Sequence, residues 1–354
     1  MKIFIRIVLS AAVILVLGVA GFFWALAIKS PGTTPAIESE NSVAELIQIK
    51  LGGFKQWVLI RGYDAKNPVL LILHGGPGSP ELAMIRKYNA ELEKHFTVVN
   101  WEQRGSCKSY SDKLNAEDMK ISQFVSDAKE LTAYLKKRFK KEKIFIEGHS
   151  WGSALGALLV QEIPGDIKAF IGIGQVSNMM ETEAAGYEWV LGEAKRRNDK
   201  KAVKELEAIG APPYKELEKT GVERRWVMAY GGTVKEDAMK LLLDALIECS
   251  EYTLKDKLIN YAKGAMFSLT TMWPEITQGD MYKSAPVWKV PVYIIAGKYD
   301  RTVDSSLQKK YFDFIKAPKK EFFLFENSAH MCSFEEPGRY MEIMTAIRAE
   351  GLKI

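Results

Sequence analysis

The chain has 354 residues, 47% of them hydrophobic, and a formal net charge of +5. This length can hold one large α/β domain with an insertion, or two domains. The positive charge is small and scattered, without a basic patch that interleaves aromatic residues, so the sequence argues against nucleic acid binding. The cysteines Cys107, Cys249 and Cys332 are far apart and lack metal-ligand spacing. We therefore expect structural or incidental thiols, and neither a metal site nor a cofactor.

The first element is an uncharged apolar run from Ile7 to Ile28. As a helix it is about 33 Å long, enough to cross a hydrocarbon core of about 30 Å. Lys2 and Arg6 precede it, which favours a cytoplasmic N-terminus with the remainder outside. We expect residues 1–29 to form a signal anchor that holds an extracytoplasmic catalytic domain at the membrane. The alternative is a secreted protein released by signal cleavage.

Strands and helices alternate over most of the remaining chain, after a linker at residues 30–42. Apolar patterns predict strands in a hairpin at 46–60 and at 69–73, 96–100, 143–147, 169–173, 291–296 and 322–325. Helical spacing is found at 81–94, 122–139, 305–315 and 337–349. This alternation predicts a doubly wound, mostly parallel sheet formed by residues 43–175 and 286–354. Residues 176–285 have helical periodicity, and we expect them to form a helical cap over the C-terminal edge of the sheet.

One strand runs directly into the motif Gly148-His149-Ser150-Trp151-Gly152, which small residues continue into a helix. A serine on such a sharp strand-to-helix turn has a strained backbone, and glycines on either side allow strand and helix to approach. The turn exposes the hydroxyl at the sheet edge, next to the positive end of a helix dipole. The motif therefore predicts Ser150 as a nucleophile.

A serine hydroxyl needs a general base at neutral pH, and the sequence has four histidines. His149 adjoins Ser150 on a tight turn, where adjacent side chains diverge. His74 begins a glycine-rich loop that it is expected to hold, and His95 lies between a helix and a strand. His330 follows a late strand, at the edge where the serine emerges. We therefore predict His330 as the base.

The carboxylate that orients the base should come from another strand end, between serine and histidine in chain order. Asp300 directly follows an apolar strand and fits this position. Asp304 lies a turn later and is predicted to cap a helix, and Glu326 is too near His330 on the same loop. We therefore predict Asp300 as the orienting carboxylate.

Hydrolysis by a serine also needs backbone N–H donors that face the developing oxyanion. One donor is predicted to be Trp151, the residue after the nucleophile. The other should come from the loop His74-Gly75-Gly76-Pro77-Gly78, whose glycines let the backbone come close to substrate. We choose Gly76 as that donor.

The motifs HGGPG, W-E-Q-R-G-S, G-x-S-W-G-S, G-x-Y-D and a late A-H together resemble the α/β-hydrolase fold, in its prolyl aminopeptidase-like (proline iminopeptidase) branch. The resemblance covers about residues 45 to 350. It implies Ser150 as nucleophile with Asp300 and His330 as its partners, and Gly76 and Trp151 as oxyanion donors. It also implies that the loop Gln103-Arg104-Gly105 is mainly structural.

The chain departs from this branch in the cap, where prolyl aminopeptidases bind the substrate amine through two glutamates. The segment Trp226–Gly231 lacks the first glutamate, and Glu248 is a candidate for the second, or else a solvated helix charge. We expect a membrane-tethered serine hydrolase that acts by acyl transfer on short peptides as an aminopeptidase. The alternatives are an esterase or amidase of small apolar substrates, and a non-catalytic ligand-binding hydrolase fold.

Overall fold

A computed structural model describes residues 21, 24–214 and 216–352. Its centre is an eight-stranded sheet with the spatial order β1-β2-β4-β3-β5-β6-β7-β8. The strands are β1 Val43–Leu51, β2 Phe54–Gly62, β3 Val69–Leu73, β4 Thr97–Trp101, β5 Ile144–His149, β6 Ile167–Ile173, β7 Val292–Gly297 and β8 Lys320–Phe325. Strand β2 is antiparallel to both neighbours, and all other pairs are parallel. The predicted mostly parallel sheet with an N-terminal hairpin is therefore confirmed.

Helices cover both faces of this sheet. Outside the cap the α-helices are α1 Leu82–Tyr88, α2 Leu92–His95, α3 Ile121–Phe139, α4 Trp151–Glu162, α11 Ser305–Phe314, α12 Cys332–Glu335 and α13 Pro337–Gly351. Leu71 and Leu73 of β3 belong to the core that includes residues of α3, α4 and α11, whereas Leu70 and Ile72 belong to the core on the opposite face. Successive side chains of a strand point to opposite faces, so burial on both sides explains the uninterrupted apolar run.

The helix predicted over residues 81–94 is two helices, α1 and α2. Asn89 follows α1, and its side-chain amide donates to the carbonyl oxygen of Ser333 at 2.9 Å. This contact holds a buried asparagine between the two helices. Helical periodicity could not predict the break, because the partner of Asn89 lies 244 residues later in the chain.

The chain between β6 and β7 is helical. Its elements are α5 Met179–Arg196, α6 Lys200–Ile209, α7 Leu217–Ala229, α8 Ala238–Glu248, a π-helical turn Asp256–Asn260, α9 Tyr261–Ile276 and α10 Met281–Ser284. Helices α5, α6 and α7 share a small apolar core of their own. We keep residues 176–285 as the bounds of a proposed cap domain.

The predicted signal anchor lies largely outside the described residues, which begin with residue 21 and omit 22 and 23. Within the part of the chain that the structure describes, no helix has the length and apolar character needed to span a membrane. Residues 24–28, at the end of the apolar run, are helical. The linker after it is bound to the cap, since the N–H groups of Gly32 and Thr33 both donate to the carbonyl oxygen of Ser250.

Candidate active site

The turn at Ser150 joins β5 to α4 with φ 53° and ψ −120°. This conformation is strained for a residue other than glycine, and it places the serine at the helix N-terminus. A Cβ at Gly152 would lie 1.9 Å from the carbonyl oxygen of Leu73, and one at Gly148 would lie 2.2 Å from the carbonyl oxygen of Gly152. Both glycines are therefore required by the close approach of the backbone.

Asp300 and His330 meet where β7 and β8 end. The His330 Nδ1 atom is 2.8 Å from Asp300 Oδ2, and a carboxylate oxygen accepts, so Nδ1 carries the hydrogen. Asp300 is completely buried, and its Oδ1 accepts from the backbone N–H groups of Thr302 and Val303, at 2.9 Å each. This arrangement fixes the imidazole tautomer that presents Nε2 as an acceptor.

Asp300 has one further partner that no sequence motif indicates, Gln308 in α11. Its side-chain amide donates to Asp300 Oδ2 at 3.0 Å and to the Val303 carbonyl at 2.7 Å, while its side-chain oxygen accepts from the Gln175 N–H. A glutamine on a helix carries no motif, so only the fold reveals that it holds the carboxylate in place.

Ser150 and His330 line the same cavity. Within the described residues the Ser150 hydroxyl and His330 are not joined by a hydrogen bond. Catalytic hydrogen bonds in ligand-free enzymes are often long and tighten when substrate binds.

The loop at residues 74–78 lies beside the Ser150 turn. Gly76 has φ 109°, a conformation that favours glycine, and a Cβ at Gly75 would lie 3.2 Å from the Cβ of Ser150. Among the described residues, the backbone N–H groups of Gly76 and Trp151 have no hydrogen-bond partner. They are therefore available to a ligand oxygen.

Two buried side chains hold this loop. His74 Nδ1 contacts the Gly75 carbonyl at 2.9 Å, and its Nε2 accepts from the Gln103 N–H at 3.2 Å. Burial lowers the pKa of His74, in keeping with a neutral ring. The Gln103 side chain donates to the His74 carbonyl and accepts from the Trp151 indole N–H. Gln103 thus connects the two segments that carry the free N–H groups.

Glu81 and His149 form a second buried pair beside the serine. Glu81 Oε1 is 2.6 Å from His149 Nδ1 and also accepts the Gly75 N–H at 3.1 Å. His149 Nε2 faces the carbonyl oxygen of His330 at 3.0 Å. Because both ring nitrogens face acceptors, the contacts of His149 are those of a doubly protonated imidazolium. Burial alone would lower the pKa of His149, but the Glu81 carboxylate outweighs it and raises the pKa.

The cavity above Ser150 has a volume of about 500 Å³. Gly76, Ser150 and His330 lie along it with side chains from the core and from the cap helices. Its apolar lining includes Met84, Leu158, Val176, Met179, Leu242, Leu269, Trp273 and Ile276. This size and lining are typical of a small-molecule site, and the polar groups are concentrated near the serine.

Acidic residues of the cap lie next to this cavity. Glu183 in α5 and Glu223 in α7 are buried, and their chain neighbours Thr182 and Arg224 line the cavity. Arg224 bonds to Glu183, while Glu183 Oε2 and both carboxylate oxygens of Glu223 lack a donor of good hydrogen-bond geometry within the described residues. The nearby Tyr214 hydroxyl lowers the pKa of Glu223, but it donates its own hydrogen to the Gly210 carbonyl at 2.7 Å. Burial raises the pKa of Glu223 to about 7, although Arg224 opposes the rise. No motif in the sequence indicates this cluster, because its glutamates lie on separate helices that meet only in the folded cap.

Glu248, by contrast, lies away from the site. Its side chain is 53% exposed and forms an ion pair with Lys87. None of Glu183, Glu223 and Glu248 lines the cavity around Ser150 directly, but the first two are buried beside its lining residues Thr182 and Arg224, whereas Glu248 is solvent-exposed. The structure therefore brings together Ser150, Gly76, Trp151 and His330 along one cavity, with Asp300 bonded behind His330, and leaves Glu248 on the surface.

The cap is bonded to the two loops that carry Asp300 and His330. The Arg301 N–H donates to the Gly232 carbonyl at 2.8 Å, and the His330 N–H donates to the Thr233 carbonyl at 2.9 Å. The hydroxyls of Thr233 and Thr302 are 3.0 Å apart. We call residues 232–233 the cap clamp, because they join the acid loop and the base loop.

Among the described residues, no group of histidine, cysteine and carboxylate side chains could hold a metal ion. Cys107, Cys249 and Cys332 are free and buried.

The fold and this arrangement define a class of protein. The chain belongs to the alpha/beta hydrolase fold family, whose family model matches residues 68–337. It is 34% identical over 313 residues to a probable aminopeptidase, YbaC, of Bacillus subtilis. That alignment covers 87% of this chain and 98% of the relative.

Two further relatives are more distant. A proline iminopeptidase of Heyndrickxia coagulans is 24% identical over 289 residues, covering 78% of this chain and 88% of the relative. The crystal structure of a proline iminopeptidase from Mycobacterium smegmatis superimposes with a TM-score of 0.64 at 17% identity, covering 87% of this chain and 98% of that one. The resemblance inferred from the motifs is therefore confirmed.

Proposed function

We propose that this chain is a serine hydrolase that acts by acyl transfer, and that its substrates are short peptides with a free amino terminus. The observation that carries the proposal is the 2.8 Å contact between His330 and buried Asp300, on the cavity that also holds the strained Ser150 turn. The two N–H groups without partners support it.

In this mechanism the Ser150 hydroxyl attacks the substrate carbonyl carbon while His330 Nε2 accepts its proton. Asp300 stabilises the imidazolium that forms. The N–H groups of Gly76 and Trp151 donate to the oxyanion, and His330 then passes the proton to the leaving group. Water, activated by the same histidine, releases the acyl group from Ser150.

Glu183 and Glu223 support the aminopeptidase form of this proposal. A substrate ammonium group supplies the hydrogen-bond donors that three of their buried oxygens lack. Arg224 neutralises one carboxylate, so the ionised cluster has one net negative charge for a cation to balance. Burying such a charge without a partner is costly, which favours an amine in the bound state.

A substrate panel tests the reaction and its specificity. Proline, alanine and leucine amides should be hydrolysed, and the Ser150→Ala variant should lose that activity while keeping its fold by circular dichroism. Full hydrolysis by Ser150→Ala would overturn the catalytic assignment. Turnover of short-chain aryl esters alone would reject the peptidase form and leave the esterase alternative, which the apolar lining of the cavity favours.

The Glu223→Gln and Glu248→Gln variants form a matched pair, one buried and one exposed. Losing a charge-assisted hydrogen bond of about 1.5–3 kcal/mol corresponds to about a 10- to 100-fold rise in KM for amides. We expect that rise for Glu223→Gln, with little change for aryl esters that lack an amine. The reverse pattern, a rise for Glu248→Gln alone, would assign the amine to Glu248.

The pKa of Glu223 predicts a pH dependence for the same step. With a pKa of about 7, Glu223 becomes neutral as the pH falls below 7 and its attraction for ammonium is lost. The KM for amides should therefore rise toward acid pH in the wild type and stay flat in Glu223→Gln. Parallel profiles for the two proteins would contradict the assignment.

We also propose that residues 7–28 anchor the chain in a membrane with the catalytic part on the outside. The uncharged apolar run and the preceding Lys2 and Arg6 support this. Fractionation of cells that express the full chain tests it: the protein should remain with membranes after alkaline washing. N-terminal sequencing of released protein that begins near Ile28 would establish cleavage instead.

A further inference from the structure

The cap carries three large apolar side chains that face solvent. Leu258 and Ile259 in the π-helical turn and Met266 in α9 are 51%, 52% and 61% exposed. Ile259 and Met266 are seven residues apart, so they share one side of a continuous helix. We call these three residues the outer cap face. Single exposed apolar residues are common, but three on one helix face indicate a partner.

The end of the predicted membrane helix is held beside this face. Pro31 forms an isolated β-bridge with Thr253, and the Lys257 ammonium donates to the Lys29 carbonyl at 3.1 Å. Trp24 and Ile28, just before these contacts, are also strongly exposed. The chain therefore leaves the cap within a few residues of Leu258, and continues into the apolar run.

Lysines adjoin the residues of the outer cap face along the chain. Lys29, Lys255 and Lys263 are exposed, and Lys263 pairs with Asp112. The acidic groups of the same segment, Glu251 and Asp256, are buried and paired with Arg86 and Lys108. Lysines and a tryptophan around an apolar patch are typical of surfaces at a membrane interface.

We infer that the outer cap face lies in the headgroup region of the bilayer into which residues 7–28 insert. The inference rests on the proposed membrane anchor. Because Pro31 and the Lys29 carbonyl are bonded to the cap, the proposed anchor ends within a few residues of this face. Helix α9, which carries Met266, also carries Leu269 and Trp273 in the lining of the Ser150 cavity. The same helix therefore contributes both to the proposed membrane surface and to the cavity.

The test uses the full chain in phosphatidylcholine–phosphatidylglycerol vesicles, with a solvatochromic thiol dye on Ile259→Cys or Met266→Cys. The native cysteines are buried, so unsubstituted protein serves as the labelling blank. Val287→Cys is the matched control, because Val287 is similarly exposed, at 52%, and bridges to Lys316 just before β7 instead of belonging to the outer cap face. Nitroxide-labelled lipids should quench the dye at 259 and 266 several-fold more than at 287.

Each result has a distinct meaning. Flotation of the protein with vesicles and quenching confined to 259 and 266 supports the inference. Flotation with equal quenching at all three positions overturns the inference and leaves the anchor standing. Failure to float with vesicles overturns both. Hydrolysis of amides and esters, measured on the same samples, reports on the proposed reaction separately.

Discussion

Two histidines flank Ser150, and their partners give them different roles. The ring of His330 donates to Asp300 and keeps one nitrogen free as an acceptor. His149 uses both nitrogens, toward Glu81 and toward the His330 carbonyl, and the two rings lie 4.7 Å apart. His149 is therefore a positioning residue. Through Glu81 it connects the Gly75 loop to the base loop.

The Glu81→Gln variant tests this connection. Without the carboxylate the pKa of His149 should fall, and a neutral ring cannot donate from both nitrogens. A shift of the catalytic groups by about 1 Å can lower kcat/KM by about 100-fold. We expect a loss of that order toward esters at neutral pH, and a smaller loss relative to the wild type at lower pH, where His149 regains its proton.

The pH dependence of this contact follows from the pKa shifts of Glu81 and His149. The wild-type pair is charged between the lowered pKa of Glu81 and the raised pKa of His149. Its stabilisation is lost when the pH falls through the first or rises through the second. The measurement is kcat/KM against pH, with Glu248→Gln as the control. If Glu81→Gln lowers kcat/KM by the same factor at all pH values, the role of Glu81 is merely structural.

At the scale of elements, the strand-turn-helix unit around Ser150 could be predicted because the steric constraints on it involve residues that are close in sequence. Gly148 and Gly152 follow from the sterics of a sharp turn, and the apolar run of β3 follows from burial on two faces. The break at Asn89 and the buried pair of Glu183 and Glu223 could not be predicted. Each depends on contacts between distant segments, and a glutamate on a helix usually faces solvent.

The Gly152→Ala variant tests the packing of this unit. The added methyl group would meet the Leu73 backbone, which cannot move aside as a side chain can. We expect a loss of about 1–3 kcal/mol or more in unfolding free energy, measured by urea denaturation. Gly165→Ala is the control, because a Cβ there meets no atom within 4 Å. Equal effects of the two changes would contradict the steric explanation.

The loop after β4 is held by a buried ion pair. Arg104 donates two hydrogen bonds of 2.9 Å to Asp127 of α3, and both side chains are almost fully buried. Asp127→Ala leaves the guanidinium buried without its partner and should lower the unfolding free energy by about 3–5 kcal/mol. Asp112→Ala, at an exposed pair with Lys263, should have little effect. Similar urea denaturation midpoints for Asp127→Ala and Asp112→Ala would contradict the structural role of the Arg104–Asp127 pair.

For the molecule as a whole, the important contact is the cap clamp at residues 232–233. It predicts that the amides of Arg301 and His330 exchange hydrogen slowly, as core amides do, even without substrate. Hydrogen–deuterium exchange followed by mass spectrometry, on peptides that contain Arg301 or His330, measures this rate. Rapid exchange there would mean that the clamp opens freely, and slow exchange would mean that any motion of the cap leaves residues 232–233 in place.

The same clamp bears on how such a hydrolase can acquire a new specificity. An inserted domain that only covers a site could be exchanged for another, in nature or by an engineer, and the hydrolytic groups would survive. Here the insertion supplies backbone acceptors to the segments that present Asp300 and His330. Grafting a foreign insertion would therefore require those two acceptors to be rebuilt, whereas substitutions in the helices that line the cavity would leave them intact. Diversification by point substitution is the accessible route.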